Sequence, residues 1–106
     1  MPKYLVHGTY TEQGLKGLLK DGGSKRRKVV EQLIKGMGGK LEVMYFAFGE
    51  DDVLMIVDLP SSVDCTAGAL MVNASGAVKL RTTVLITPEE VDEATKKTVN
   101  YRPPGR

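Results

Sequence analysis

Residues 41–59, LEVMYFAFGEDDVLMIVDL, hold two strand-like runs that meet at the acidic turn Glu50-Asp51-Asp52. The first is apolar at both alternating positions: Val43, Tyr45 and Ala47 share one face, and Met44, Phe46 and Phe48 share the other. A strand half open to water alternates apolar with polar residues, so this hairpin predicts a sheet covered on both faces. The chain's own helices can supply one cover. A second subunit is the economical source of the other.

Upstream of the hairpin, KYLVHGTY (residues 3–10) is rich in strand formers and ends at Thr11, whose hydroxyl suits a helix cap. Leu15, Leu18 and Leu19 fall on one helical face, and the period resumes after Gly22-Gly23-Ser24 with Val30, Leu33, Ile34 and Met37 until Gly38-Gly39. This reads as one broken crossover helix with Ser24 capping its second half. Downstream, Pro60 closes the hairpin's second strand and Ser61 with Asp64 forms a capping pair. The helix that follows is predicted to turn Val63, Ala67, Leu70, Met71 and Ala74 inward and to stop at Gly76. VKLRTTVLI is the fourth strand, and Thr87-Pro88-Glu89-Glu90 opens a short last helix before the extended tail Tyr101-Arg102-Pro103-Pro104-Gly105.

The order strand, helix, strand, strand, helix, strand specifies an α+β, ferredoxin-like βαββαβ protomer with an extra C-terminal helix. Helices cover one face of its antiparallel sheet. The simplest closure of the bare face is a homodimer through the open sheet face, two sheets stacking as a dimeric α/β barrel.

At 106 residues the chain fits a single domain, 1–106, with no linker or repeat to divide it. A domain of this size hides roughly 65% of its unfolded surface, so the core is modest. The lone Cys65 and the lack of a signal-like apolar run after Met1 make a reducing, cytoplasmic setting the expectation. No segment approaches membrane-spanning length. A formal charge of +2 is too small to imply a polyanionic partner, and no aromatic-basic stacking motif suggests nucleic acid. The charge is uneven, however: cations crowd Lys16–Lys40, and Glu50 to Asp64 holds acids alone.

The opening KYLVHGTYTEQGLKGLL, the break GGSKRRKVVEQL, the turn and strand FGEDDVLMIVDLP, the helix ALMVNASGAV and the ending LRTTVLITPEEVDEA with YRPPG together resemble the GYD-domain family. The resemblance covers nearly the whole chain. It implies the dimeric α/β-barrel group, whose members include oxygenases, isomerases and haem proteins that share no one catalytic set. In the namesake turn Gly49 and Asp52 match the family's pattern, whereas its Tyr is replaced by Asp51.

No catalytic signature stands out, and each candidate side chain competes with a structural role. His7, the only histidine, is expected mid-strand near Met55 and Thr82, where it can carry a proton within a cavity. Tyr10, Tyr45 and Arg81 would add phenol and guanidinium groups to a small-ligand pocket there. Ser24, Arg26 and Arg27 combine a hydroxyl and cations at a helix start, a candidate anion site without the spacing of a phosphate-binding loop. Pro2 offers a terminal secondary amine if Met1 is removed, Cys65 sits in a first helical turn, and Asp51 with Asp52 could join Glu50 in a divalent-cation site but is most simply turn chemistry. Asp58 needs a partner such as Lys3 or Arg81. Neither a metal nor a cofactor is indicated. The leading expectation is a dimeric small-molecule-binding protein; the alternatives are a cofactor-independent isomerase or oxygenase using His7 with the tyrosines, and an anion-responsive interaction module.

Overall fold

A computed structural model describes residues 1–106. The elements are β1 (Lys3–Tyr10), α1 (Glu12–Asp21), α2 (Gly23–Gly36), β2 (Lys40–Phe46), β3 (Val53–Asp58), α3 (Ser62–Ala74), β4 (Val78–Leu85) and α4 (Pro88–Thr95). The strands form one antiparallel sheet in the order β2-β3-β1-β4, the ferredoxin-like α+β arrangement with an added last helix.

The core lies between the sheet and α1–α3. Tyr4, Val6, Val30, Ile34, Val57 and Leu59 form its main cluster, and Tyr10, Val53 and Val78 a smaller one. Burial of Tyr4 is affordable because its hydroxyl lies 3.0 Å from Ser62 Oγ, so the phenol is not left without a hydrogen-bond partner. Close approaches rely on glycine at two places. A Cβ on Gly14 would run into the Ala77 carbonyl, and one on Gly39 into that of Asp58.

Helix starts follow the sequence in three of four cases. Thr11, Ser61 and Thr87 each accept from a backbone N–H in the first turn, and Thr87 with Glu90 completes a capping box. The fourth differs from expectation. Ser24 does not cap α2; Gly22, at φ 81°, ends α1 and begins α2 in one step, so Ser24 falls inside the first turn.

The inward face of α3 also differs. Val63, Leu70 and Met71 are largely exposed, and Ala67 and Ala74 point outward with them. Cys65, Gly68, Ala69 and Val72 instead approach the sheet, with the Met37 side chain lying against Gly68. The sequence of α3 is apolar almost all round, so periodicity alone could not choose its buried side.

Side chains on the sheet's other face stand in cross-strand rows. Val43, Ile56, Leu5 and Thr83 form a mostly apolar middle row. Toward one end, Lys3 Nζ lies 2.8 Å from both Asp58 Oδ1 and Glu42 Oε2, which answers the need of Asp58 for a partner. The hydrogen bond to Asp58, then that to Glu42, holds the Lys3 ammonium above its ordinary value of 10.5.

Gly14→Ala is expected to lower stability by about 1–3 kcal/mol through backbone overlap, read by thermal or urea unfolding. Burial pushes the Cys65 thiol up from its ordinary value, so alkylation by iodoacetamide at neutral pH should be slow in the folded protein and fast after denaturation.

Candidate functional site

The hairpin turn builds a polar cluster at the other end of the open face. Ala47 N–H donates to the Asp52 carbonyl and Asp52 N–H to the Gly8 carbonyl, both at 2.9 Å, which ties the turn to β1. Phe48 takes φ 50°, a left-handed conformation uncommon for a bulky residue, and its ring stacks on Phe46 at 6.0 Å between centroids. Within this fixed turn the two acids divide their work. Asp52 Oδ2 accepts from the backbone N–H of Tyr10 at 2.9 Å, a structural turn role. Asp51 folds back over the sheet.

Its carboxylate meets three side chains there. Arg81 Nη2 donates to Asp51 Oδ2 at 2.7 Å, His7 Nδ1 lies 3.2 Å from the same oxygen, and Thr9 Oγ1 donates to Oδ1 at 3.4 Å. A carboxylate offers only acceptors, so a proton on His7 Nδ1 completes this contact. The Asp51 side chain is 12% exposed and that of His7 21%, whereas that of Arg81 remains 63% exposed. The cluster is therefore anchored at the carboxylate and open at the guanidinium.

Three of the four residues expected in a ligand pocket share this face. Tyr45 pairs with Leu54, Leu54 with His7 and His7 with Arg81, so they form one row across the sheet. Tyr10 does not join them; it is buried on the helix side with Val53 and Val78. The neighbours expected for His7 are also corrected. Met55 and Thr82 pair with Val6, one position away, and a one-residue step carries a strand side chain to the opposite face.

The enclosed gap on the helix side is too small for a ligand, and an open cleft of about 270 Å³ lies between α3 and β4, lined by Tyr4, Ser62, Cys65, Thr82 and Val84. The gap lined by Val6, Leu33, Met37, Cys65, Ala69 and Leu80 is apolar and about 40 Å³, room for little more than a water, whereas small-molecule sites run to several hundred. His7 points away from it. Ser24 and Arg27 border an open depression of about 340 Å³ at the β2 edge, where Tyr45 and Phe46 form the far wall. Arg27 Nε lies 3.5 Å from Glu31 Oε1, and Arg26 is not among the depression's lining residues. Pro2 borders a groove of about 500 Å³ between the N-terminus and the start of α4, shared with Lys3, Val84 and Glu90 rather than with His7.

No group of three His, Cys, Asp or Glu side chains lies close enough together to hold a metal ion. Asp51, read from the sequence as turn chemistry, is the anchor of this cluster. Its signal was available as an acid standing where the family resemblance expects a phenol, but nothing in the sequence says which of two adjacent turn acids faces the sheet.

No helix is long and apolar enough to cross a membrane. No curated protein and no solved structure matches the chain. A family comparison matches residues 4–95 to the GYD domain, more than four-fifths of the sequence, and the chain belongs to that family.

Proposed function

We propose that this GYD-domain protein works as a homodimer through its open sheet face and binds a small molecule beside the Tyr45, Leu54, His7 and Arg81 row. The observation that carries the reading is the composition of that face: an apolar band of Val43, Ile56 and Leu5 lies between the Lys3 ion pairs and the Asp51 cluster. Only 11 of 106 residues are buried in the protomer, so a second copy would add the core that one chain lacks. Pairing would also desolvate Asp51, His7 and Arg81, and polar contacts strengthen where water is excluded. A guanidinium, an imidazole and a phenol beside Leu54 suit a ligand with an apolar body and an acceptor group such as a carboxylate or carbonyl oxygen.

The rival reading, a cofactor-independent isomerase, draws on one contact. With its Nδ1 proton directed at Asp51, His7 can take a proton at Nε2 from a carbon acid beside a carbonyl and return it to another atom of the same molecule. No oxidant is needed for such a proton shift.

Light scattering on the eluting protein should give twice the 11.5 kDa chain mass. Leu5→Glu and, at the edge strand, Val43→Glu should each shift it to monomer while circular dichroism shows the fold retained. A wild-type mass of one chain at high micromolar concentration would overturn the pairing.

A thermal-shift screen of aromatic and aliphatic monocarboxylates is expected to find binders whose effect falls at least about 10-fold in apparent affinity with Arg81→Ala. If a binder also loses its α-hydrogen to deuterated water with wild type and not with His7→Gln, the isomerase reading holds. Binding without exchange favours the simple binder.

A further inference from the structure

We propose that the C-terminal arm, residues 87–101, docks on the α1–α2 surface of a second copy of this chain and straps the paired sheets together from outside. The inference rests on the sheet-face pairing proposed above. It begins from an arm that borders its own protomer only where α4 starts, beside the N-terminus. Residues 86–102 are all exposed, and α4 makes no substantial contact with another element. Ile86, Val91, Val99 and Tyr101 expose between 49% and 77% of their surface along it. The arm stretches the protomer to 57 Å, and the radius of gyration is 16.9 Å where a compact chain of this length has about 13 Å.

An eight-residue helix is too short to persist alone in water, where about 12–15 residues are needed even for good helix formers. The capping box at Thr87 and Glu90 helps to start α4 but buries nothing. A surface elsewhere must hold it.

Charge and apolar pattern identify that surface. α4 carries Glu89, Glu90, Asp92 and Glu93 with no cation, and none of the four forms an ion pair within the protomer. On α1–α2, Lys16, Lys25 and Arg27 pair with Glu12, Asp21 and Glu31 one turn away, whereas Lys20, Arg26, Lys28 and Lys35 have no carboxylate partner. Leu19, Val29 and Leu33 are exposed among these cations. The acidic helix α4, which Lys96 and Lys97 follow directly, thus meets with its apolar neighbours a cationic surface with apolar side chains.

The arm's own α1–α2 layer is badly placed for this contact. α2 packs over β2 at one sheet edge, and the arm leaves from β4 at the opposite edge. When two such sheets stack with the two-fold running along the strands, β4 of one copy faces β2 of the other. The arm then starts about 10 Å, one sheet spacing, from the partner's β2 edge. The partner's α2 lies about another 10 Å beyond that edge, so the roughly 12 Å of α4 brings its last-turn acids Asp92 and Glu93 within reach of long lysine side chains on α2, and the extended residues after Thr95 run on over the helices.

The test uses full-length protein made by co-refolding equal amounts of 14N and 15N chains, treated with a zero-length carbodiimide that joins carboxylates to lysines. Mass spectrometry should find mixed-isotope links between α4 acids and Lys20, Lys28 or Lys35. Links confined to chains of one isotope would overturn the docking. Hydrogen exchange provides a second readout: α4 amides should be protected in wild type and exchange at least about 10-fold faster in Lys20→Glu/Lys28→Glu/Lys35→Glu. Adding Glu89→Lys/Asp92→Lys/Glu93→Lys should restore protection. A dimeric mass with freely exchanging α4 would overturn the arm and leave sheet pairing intact, whereas a monomeric mass would overturn both.

Discussion

A sheet has two faces, and this chain makes helices for one. Everything distinctive about the protomer follows from that constraint. The βαββαβ order sends both crossovers to the same side, so Tyr4, Val6, Val57 and Ile34 close a core there. The alternate residues of the same strands, Leu5, Ile56 and Leu54, stay only half-buried. Because the side-chain period along a strand is two, the apolar character of β3 cannot be satisfied by one covering layer. The face is also not uniformly greasy. Its apolar middle lies between two charged sets, a Lys3 ammonium between the Asp58 and Glu42 carboxylates and a matched Asp51–Arg81 pair, and the first carries one negative charge in excess.

The turn between β2 and β3 makes one of those sets. Its backbone bonds to β1 and the left-handed Phe48 hold two adjacent acids in opposite tasks, one satisfying the Tyr10 amide and one bridging His7 and Arg81. Arg81 and His7 come from neighbouring strands at the same register level, so Asp51 joins three segments that are far apart in sequence. Such a bridge fixes the imidazole's direction. His7 lies on an open face and not in an enclosed cavity.

Unfilled surface recurs elsewhere. α3 is apolar on its inner side, where Cys65, Gly68 and Ala69 let it approach the sheet, and again on its outer side at Val63, Leu70 and Met71. α4 carries acids that find no cation in the protomer, while α1 and α2 carry cations that find no acid.

The sequence by itself determined the elements. The caps Thr11, Ser61 and Thr87, the strand formers of β1 to β4, and the Gly22 break are local signals, because each depends on torsions and hydrogen bonds within a few residues. Their order then limited the fold to the ferredoxin-like sheet, and the family resemblance agreed with it. Only the tertiary structure decided which way side chains point. Val63, Leu70 and Met71 turned out instead of in because the small Gly68 and Ala69 let the opposite side of α3 approach the sheet, and the helix has no polar face that would betray this choice in the sequence. Tyr10 left the expected site, and Asp51 entered it, because strand register and turn geometry are set by pairing across the sheet, where a one-residue step exchanges the two faces.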